Sequence, residues 1–381
     1  MRLLHRASPW RGLFAEETLP DPATFPPLLA PLRDALVCLG PDPSLKSSKA
    51  WQYELCRALQ RLDLPGWRIS QVLSDHDDWL YRRSILYSLD SLRSDGWGEP
   101  PVAYCVLTMG SLARHESLLS PDQDNGMIVA DYPDDAHDTI DGYFQAFGER
   151  FTDALAEAGI PLCGGQVMAR WPMWRKRLSE WREQFRIWTA GRIVKRVQQA
   201  NILLDFAPVY GEAALADALR DTVVETLPPR TLFLDEMTEL LDEVPVALDR
   251  FGRLSPDGRE APHDAALNLK RQGILPLQNA ARLLAVMHGV RHVDTRSRLQ
   301  ALLAADVLRP ALAQNAVEAL DHCQSLLLDA QLTSLEAGRG ADDWVDLRQL
   351  SDTDRLRLRH SLQQVGRLLD VARRAKPTLR C

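Results

Sequence analysis

Between Ser48 and Arg93 apolar residues recur at three- and four-residue spacings: Val72, Leu73 and Leu80, then Ile85, Leu86, Leu89 and Leu92. That period predicts helix, interrupted at Pro65-Gly66. Ahead of it, residues 1–45 are rich in proline ("LPDPATFPPLLAPL") and predict turns around short helices at most. "SDGWGEPP" (94–101) ends the helical stretch, and the pattern then changes. "VAYCVLTM" (102–109) is short, apolar and rich in strand formers, as a buried strand would be. "NGMIVAD" (125–131) predicts a second strand, "GGQVMA" (164–169) a short third and "ANILLDFAPVYG" (200–211) a fourth. Between the second and third, Ile140, Tyr143, Phe144, Phe147, Phe151 and Leu155 fall on one helical face, which Gly159 and Pro161 terminate.

From about residue 233 no segment has a strand pattern. Residues 234–250, 276–289, 296–304, 311–333 and 354–374 all carry helical periodicity, which predicts a bundle. The fold class expected is therefore α+β, a mixed sheet with flanking helices followed by an all-α domain. The division expected is a helical N-terminal segment over 1–95, a sheet domain over 96–232 and a helical domain over 233–381.

Composition narrows the classes of function. The chain has 381 residues, 45% apolar and 25% charged, ordinary for a soluble protein with two or three domains. A net charge of −7 disfavours a protein whose main task is to grip nucleic acid. No run of about 18 apolar residues occurs, and no secretion signal is expected in "MRLLHRASPWRGLFAEE". The six cysteines (Cys38, Cys56, Cys105, Cys163, Cys323 and Cys381) form no C-x-x-C pair, so neither a disulfide framework nor a zinc site is expected, and the compartment expected is the cytoplasm. The nine histidines include no H-E-x-x-H, and His322 beside Cys323 is read as a helix position.

The candidate chemistry lies in "GSLARHESLLSPDQDNGMIV" (110–129). If the first strand ends at Gly110-Ser111, glycine lets the backbone pass close to a phosphate and the serine hydroxyl can donate to it. If Asp122 and Asp124 enter the next strand, alternation points both carboxylates the same way. Such a pair is costly without a counter-ion, and a divalent cation such as Mg2+ or Mn2+, which accepts one or two carboxylates plus substrate phosphates, is the common remedy. The competing reading is a loop whose aspartates cap turns, since "SPDQDNG" is full of turn formers.

The order of strand, Gly-Ser, spacer, D-x-D and strand resembles the polymerase-β-like nucleotidyltransferase superfamily. In detail it resembles the nucleotidyltransferases related to protein-PII uridylyltransferase, whose pattern runs G-S-x-x-R-x-E and then T-D-Q-D-N. Arg114, Glu116, Asp122, Gln123, Asp124 and Asn125 match that pattern. The resemblance continues through "GIPLCGGQVMARWPMWR", "ILLDFAPVYGE" and "LNLKRQGILPLQNAARLLA", covering roughly residues 70–381. It implies a polymerase-β-like mixed sheet, a nucleoside triphosphate as substrate and a bound Mg2+ or Mn2+ held by Asp122 and Asp124. It also implies a third carboxylate from a later strand, for which Asp205 is the candidate, and a helical substrate-binding domain. Asp205 lies within an apolar run, where a carboxylate needs a partner; an ion would serve, and so would an arginine. Arg114 would either steady a phosphate with its planar fork or pair with Glu116 or Asp122. The acceptor implied is a protein hydroxyl, as in uridylylation or adenylylation of a bacterial signalling protein.

Two departures from the family stand out. Leu112-Ala113 replaces the usual Glu-Gly and makes the turn bulkier; this leaves open an inactive, nucleotide-binding regulator. With only 109 residues ahead of Gly110, the CBS and cyclic-nucleotide modules common in the family are not expected. Two basic regions complete the candidates. Residues 170–196 carry nine basic and two acidic side chains with Trp171, Trp174, Trp181 and Trp188 interleaved. The seven-residue spacing of the last three favours a packed face over base-stacking platforms. In "LNLKRQGILPLQNAARLL", Lys270, Arg271 and Arg282 form a basic edge, and Lys270 and Arg271 are candidates for nucleotide binding.

Overall fold

The computed structural model describes residues 13–15, 18–256, 261–262 and 264–375. In chain order the elements are α1 (Ala30–Leu39), α2 (Leu45–Arg61), α3 (Gly66–Ser94), β1 (Tyr104–Met109), α4 (Gly110–Ala113), β2 (Asn125–Val129), α5 (His137–Ala158), β3 (Arg175–Arg177), α6 (Leu178–Trp188), α7 (Val194–Leu203), β4 (Phe206–Gly211), α8 (Ala213–Thr226), α9 (Thr231–Glu239), β5 (Ala266–Asn268), α10 (Leu275–Met287), α11 (Thr295–Ala304), α12 (Pro310–Glu336), β6 (Trp344–Asp346) and α13 (Asp352–Arg374). The class is α+β: a mixed four-stranded sheet among many helices, with a helical C-terminal region. No helix among the described residues is long and apolar enough to cross a membrane.

Two compact units divide the chain. One comprises residues up to Glu183 together with Asp205–Leu219; the other comprises Gln184–Leu204 and everything from Arg220. The first unit holds the sheet, in the order β3-β2-β1-β4, and the N-terminal helices. β1 runs antiparallel to both β2 and β4, with Thr108 opposite Asn125 on one side and Met109 opposite Phe206 on the other; β2 and β3 are parallel. Every residue of β1 is buried, as its unbroken apolar sequence requires. Helix α5 packs its aromatic face inward and stops where Gly159 takes the left-handed conformation at φ +107°. Helix α3 backs the turn that follows β1, because Ser70 Oγ donates to Ser117 O (2.8 Å) and Ser117 N donates to Ser74 Oγ (3.1 Å).

Three strand expectations are corrected. Residues 164–169 form no strand; the third strand is Arg175–Arg177, whose three basic residues carry no apolar alternation to announce it. Residues 200–211 are helix as far as Leu203 and strand only from Phe206, since a short apolar run has the same pattern in either state. The C-terminal region does contain strands: β5 pairs antiparallel with β6, three residues each and far apart in sequence. The helix expected over 234–250 ends earlier, at Glu239 plus one 3-10 turn to Asp242. Pro245 explains the stop, because the residue before a proline is pushed out of the helical region.

Within the second unit, Asp294 caps α11 by accepting from Ser297 N, and Ser351 caps α13 by accepting from Asp354 N. Residue Trp174 precedes β3, outside any helix, so it does not share a helix face with Trp181 and Trp188; all three are buried, and Trp171 is exposed.

A polar cluster lies inside the N-terminal helices. Lys49 Nζ pairs with Asp77 (3.0 Å) and donates to Gln52 (2.6 Å), and His76 Nδ1 meets Gln52 Nε2 at 3.1 Å. The His76 ring is enclosed by Phe14, Trp51 and Trp79. Burial, aided by the charge of Lys49, lowers its pKa to about 3, so it is neutral in the folded protein. In the unfolded chain it protonates near its usual value, so between about pH 6.5 and 3 the unfolded state binds the extra proton. Stability is therefore expected to fall on acidification through that window, by at most about 1.4 kcal/mol per pH unit from this residue. Urea midpoints at several pH values, compared with those of His76→Gln, check this; equal slopes would show that His76 does not contribute.

Candidate active site

The antiparallel pairing of β1 with both neighbours fixes the centre of the site. Where β1 ends, β2 and β4 begin, so the residues just ahead of those two strands flank the end of β1. Met109 N donates to Asp124 O and Gly110 N donates to Asp205 O, both at 2.9 Å. Asp124 and Asp205 thus stand on either side of Gly110, although 81 residues separate them in sequence. Gly110 has φ +61°, and a Cβ there would lie 3.0 Å from Asp124 Oδ2. Glycine is needed both for the left-handed turn and for the carboxylate leaning over it. Gly110→Ala is expected to cost about 1–2 kcal/mol from the turn alone and to displace the Asp124 carboxylate. A melting curve checks the first effect and a crystal structure of the variant the second.

Asp122, Gln123 and Asp124 lead into β2 rather than lying in it, since the strand begins at Asn125, yet burial alternates along the four residues. Gln123 and Asn125 are fully buried, whereas Asp124 is half-buried and Asp122 exposed. The two buried amides are the anchors. Gln123 Nε2 donates to Thr152 O (2.8 Å) and Ile160 O (2.9 Å), and its backbone N donates to Pro161 O. Asn125 N donates to Val167 O, and Asn125 Oδ1 accepts from Ala169 N (2.8 Å). These bonds lash the 160–169 loop alongside the aspartates, which explains its extended reach without strand pairing.

The loop delivers a side chain that sequence reasoning missed. One oxygen of Asp122, one of Asp124 and Cys163 Sγ all lie within 4.8 Å of one another, a group able to hold a metal ion. The thiol is hydrogen-bonded to Asp124, and burial, with Asp124 adding to it, raises its pKa to about 11. The available signal was the position of Cys163 within "GIPLCGG", already part of the resemblance but read as one of six scattered cysteines.

Asp205 is nearly fully buried, and its Oδ2 accepts from Arg114 Nη1 at 2.6 Å; Arg114 Nε reaches Glu116 at 3.0 Å. Burial would depress the Arg114 pKa, but these two carboxylates outweigh it and raise the value. Asp205 is thus beside Gly110 but outside the close group of Asp122, Asp124 and Cys163. Ser111 Oγ lies 3.3 Å from Ser117 Oγ.

A second cluster joins Asp75 and Asp78 of α3 to His115, which itself has φ +54°. His115 Nδ1 is 3.0 Å from Asp75 and Nε2 is 3.8 Å from Asp78, so the ring is clamped between two carboxylates. Burial first, then the nearby Asp75 and Asp77, push Asp78 up to about 7 against the pull of His115 and Arg82.

Lys270 and Arg271 belong to the second unit, in a π-helical turn (Lys270–Ile274). Lys270 pairs with Asp343 (3.3 Å) and is half exposed, and Arg271 N donates to Asn268 Oδ1. Arg282 is buried, bonded to Asn201 and Asn279.

Residues 52–192 match the family described as "Putative nucleotidyltransferase DUF294", and residues 231–375 match the "Putative nucleotidyltransferase substrate binding domain". No curated protein matches the chain.

Proposed function

The chain belongs to the nucleotidyltransferase family that these two matches describe, and on that premise we propose that it moves a nucleoside monophosphate from a nucleoside triphosphate to a protein hydroxyl, releasing pyrophosphate. The observation that carries this reading is the approach of the Asp122 and Asp124 carboxylates at the end of β1, backed by buried Gln123 and Asn125. Two carboxylates so close are unfavourable alone and suit a divalent cation such as Mg2+ or Mn2+. When bound, such an ion neutralises triphosphate charge and polarises the reacting phosphoryl group.

The protein's own groups then have distinct tasks. Asp122, exposed, and Asp124, held by the backbone bond from Met109, would hold such an ion. Gly110 leaves room for the Asp124 carboxylate, and the Ser111 hydroxyl donates to a phosphate oxygen. Asp205, beside Gly110 and balanced by Arg114, supplies a third negative charge and accepts the proton of the acceptor hydroxyl. Lys270 and Arg271, in the part matching a substrate-binding domain, offer positive charge to an acidic acceptor surface.

Incubation with each labelled nucleoside triphosphate, magnesium and a cell lysate tests the reading. Label on a protein is the expected result. Label on RNA would replace the acceptor, and nucleotide binding without transfer to any acceptor would overturn the enzyme reading in favour of a nucleotide-binding regulator.

A further inference from the structure

Cys163 changes the chemistry of the carboxylate pair. A site built for magnesium alone would offer oxygen ligands, because Mg2+ is hard and holds oxygen at about 2.1 Å in near-octahedral geometry. Here the third side chain in the group is a sulfur, with its ligand atom within 4.8 Å of an oxygen from each aspartate. Bonds of about 2.3 Å to sulfur and about 2.0–2.2 Å to oxygen let one ion draw such donors together with modest closure. The sulfur is also held in place. Gln166 N donates to Cys163 O (3.0 Å), and the bonds of Asn125 to Val167 and Ala169 tie down the following residues.

The other group of ligating side chains among the described residues behaves differently. In the cluster of Asp75, Asp78 and His115 the ligand atoms also lie within 4.8 Å of one another, but all are nitrogen or oxygen, and the ring already sits between the two carboxylates. Around Cys163 the group includes a sulfur, and exposed Asp122 leaves a way in.

We propose that Asp122, Asp124 and Cys163 form a mixed oxygen–sulfur site that takes a thiophilic divalent cation of the Zn2+, Co2+ or Cd2+ class. Binding breaks the thiol S–H bond, forms a metal–sulfur bond and releases the proton to solvent, with no change of oxidation state. A soft cation seated there fills the position that transfer requires and gains a sulfur bond that magnesium does not favour. Sulfur preference thus makes the site a point of inhibition by thiophilic metals. The proposal rests on the same two carboxylates as the transfer reading, and the test separates the two.

Co2+ is titrated into the full-length chain and followed by absorption and by calorimetry, beside Cys163→Ser, Cys163→Ala and Asp124→Asn, each first shown to melt cooperatively. The wild type is expected to develop the near-ultraviolet thiolate-to-cobalt charge-transfer band. Both Cys163 variants should lack it and bind Cd2+ more weakly by at least about tenfold, the scale of even an outer-shell loss. Cobalt binding to the wild type without that band, or a band that persists in both Cys163 variants, would overturn the sulfur ligand while leaving the carboxylate site intact. Full cobalt affinity in Asp124→Asn, or none in the wild type, would remove the carboxylate site itself and take both proposals with it.

Discussion

Asp124→Asn is expected to lower nucleotidyl transfer by at least about a hundredfold while leaving the melting temperature unchanged or slightly raised. Electrostatic stabilisation by a bound cation is worth several kcal/mol to phosphoryl chemistry, and each 1.36 kcal/mol is tenfold in rate. The amide keeps the shape of the side chain but withdraws the negative charge that would fix the ion. It also relieves repulsion with Asp122, so folding loses little or gains. Asp122→Asn should follow the same pattern less steeply, because Asp122 is exposed whereas Asp124 is tied to β1 through Met109. Transfer kinetics with magnesium, set beside melting curves, decide the matter. Near-wild-type turnover in both single variants would dismiss the carboxylate pair as a metal site.

The D-x-D pair was readable in sequence because strand alternation is local. Asp122 and Asp124 face one way for the same reason that Gln123 and Asn125 face the other, and no distant residue is needed to infer it. The apolar run of β1 and the aromatic face of α5 were equally legible. The elements that escaped owe their state to distant partners. β3 is a strand because β2 lies beside it, and β5 and β6 are strands because they pair with each other across the second unit. Tertiary pairing outweighs local pattern in such short pieces. Cys163 was hidden for the same reason. Its place in the site depends on buried amides at Gln123 and Asn125 that draw the 160–169 loop alongside, and nothing in the spacing of cysteines encodes that.

The ion pair of Arg114 with Asp205 yields the largest expected effect on folding, and its asymmetry makes it informative. Breaking a buried pair by removing one member costs about 3–5 kcal/mol, because the remaining charge loses its compensation. Arg114 serves two carboxylates, at 2.6 Å from Asp205 and 3.0 Å from Glu116, and all three side chains are almost entirely buried. Arg114→Met withdraws the cation that both acids share, whereas Asp205→Asn leaves Arg114 with Glu116. Arg114→Met should therefore be the more damaging to stability, and the double variant Arg114→Met with Asp205→Asn should be less unstable than the sum of the two singles. Urea unfolding of the three variants measures this coupling directly. Strict additivity would mean that the pair contributes nothing specific. Transfer then distinguishes a strut from a participant. Asp205→Asn, assayed below its melting temperature at saturating magnesium, should lose transfer well beyond any loss of folded protein if Asp205 accepts the proton from the acceptor hydroxyl. A shift in the pH profile of transfer should accompany that loss, which support of the Gly110 turn alone would not produce. Full turnover per folded molecule would confine Asp205 to holding Arg114 and leave the chemistry to the carboxylate pair.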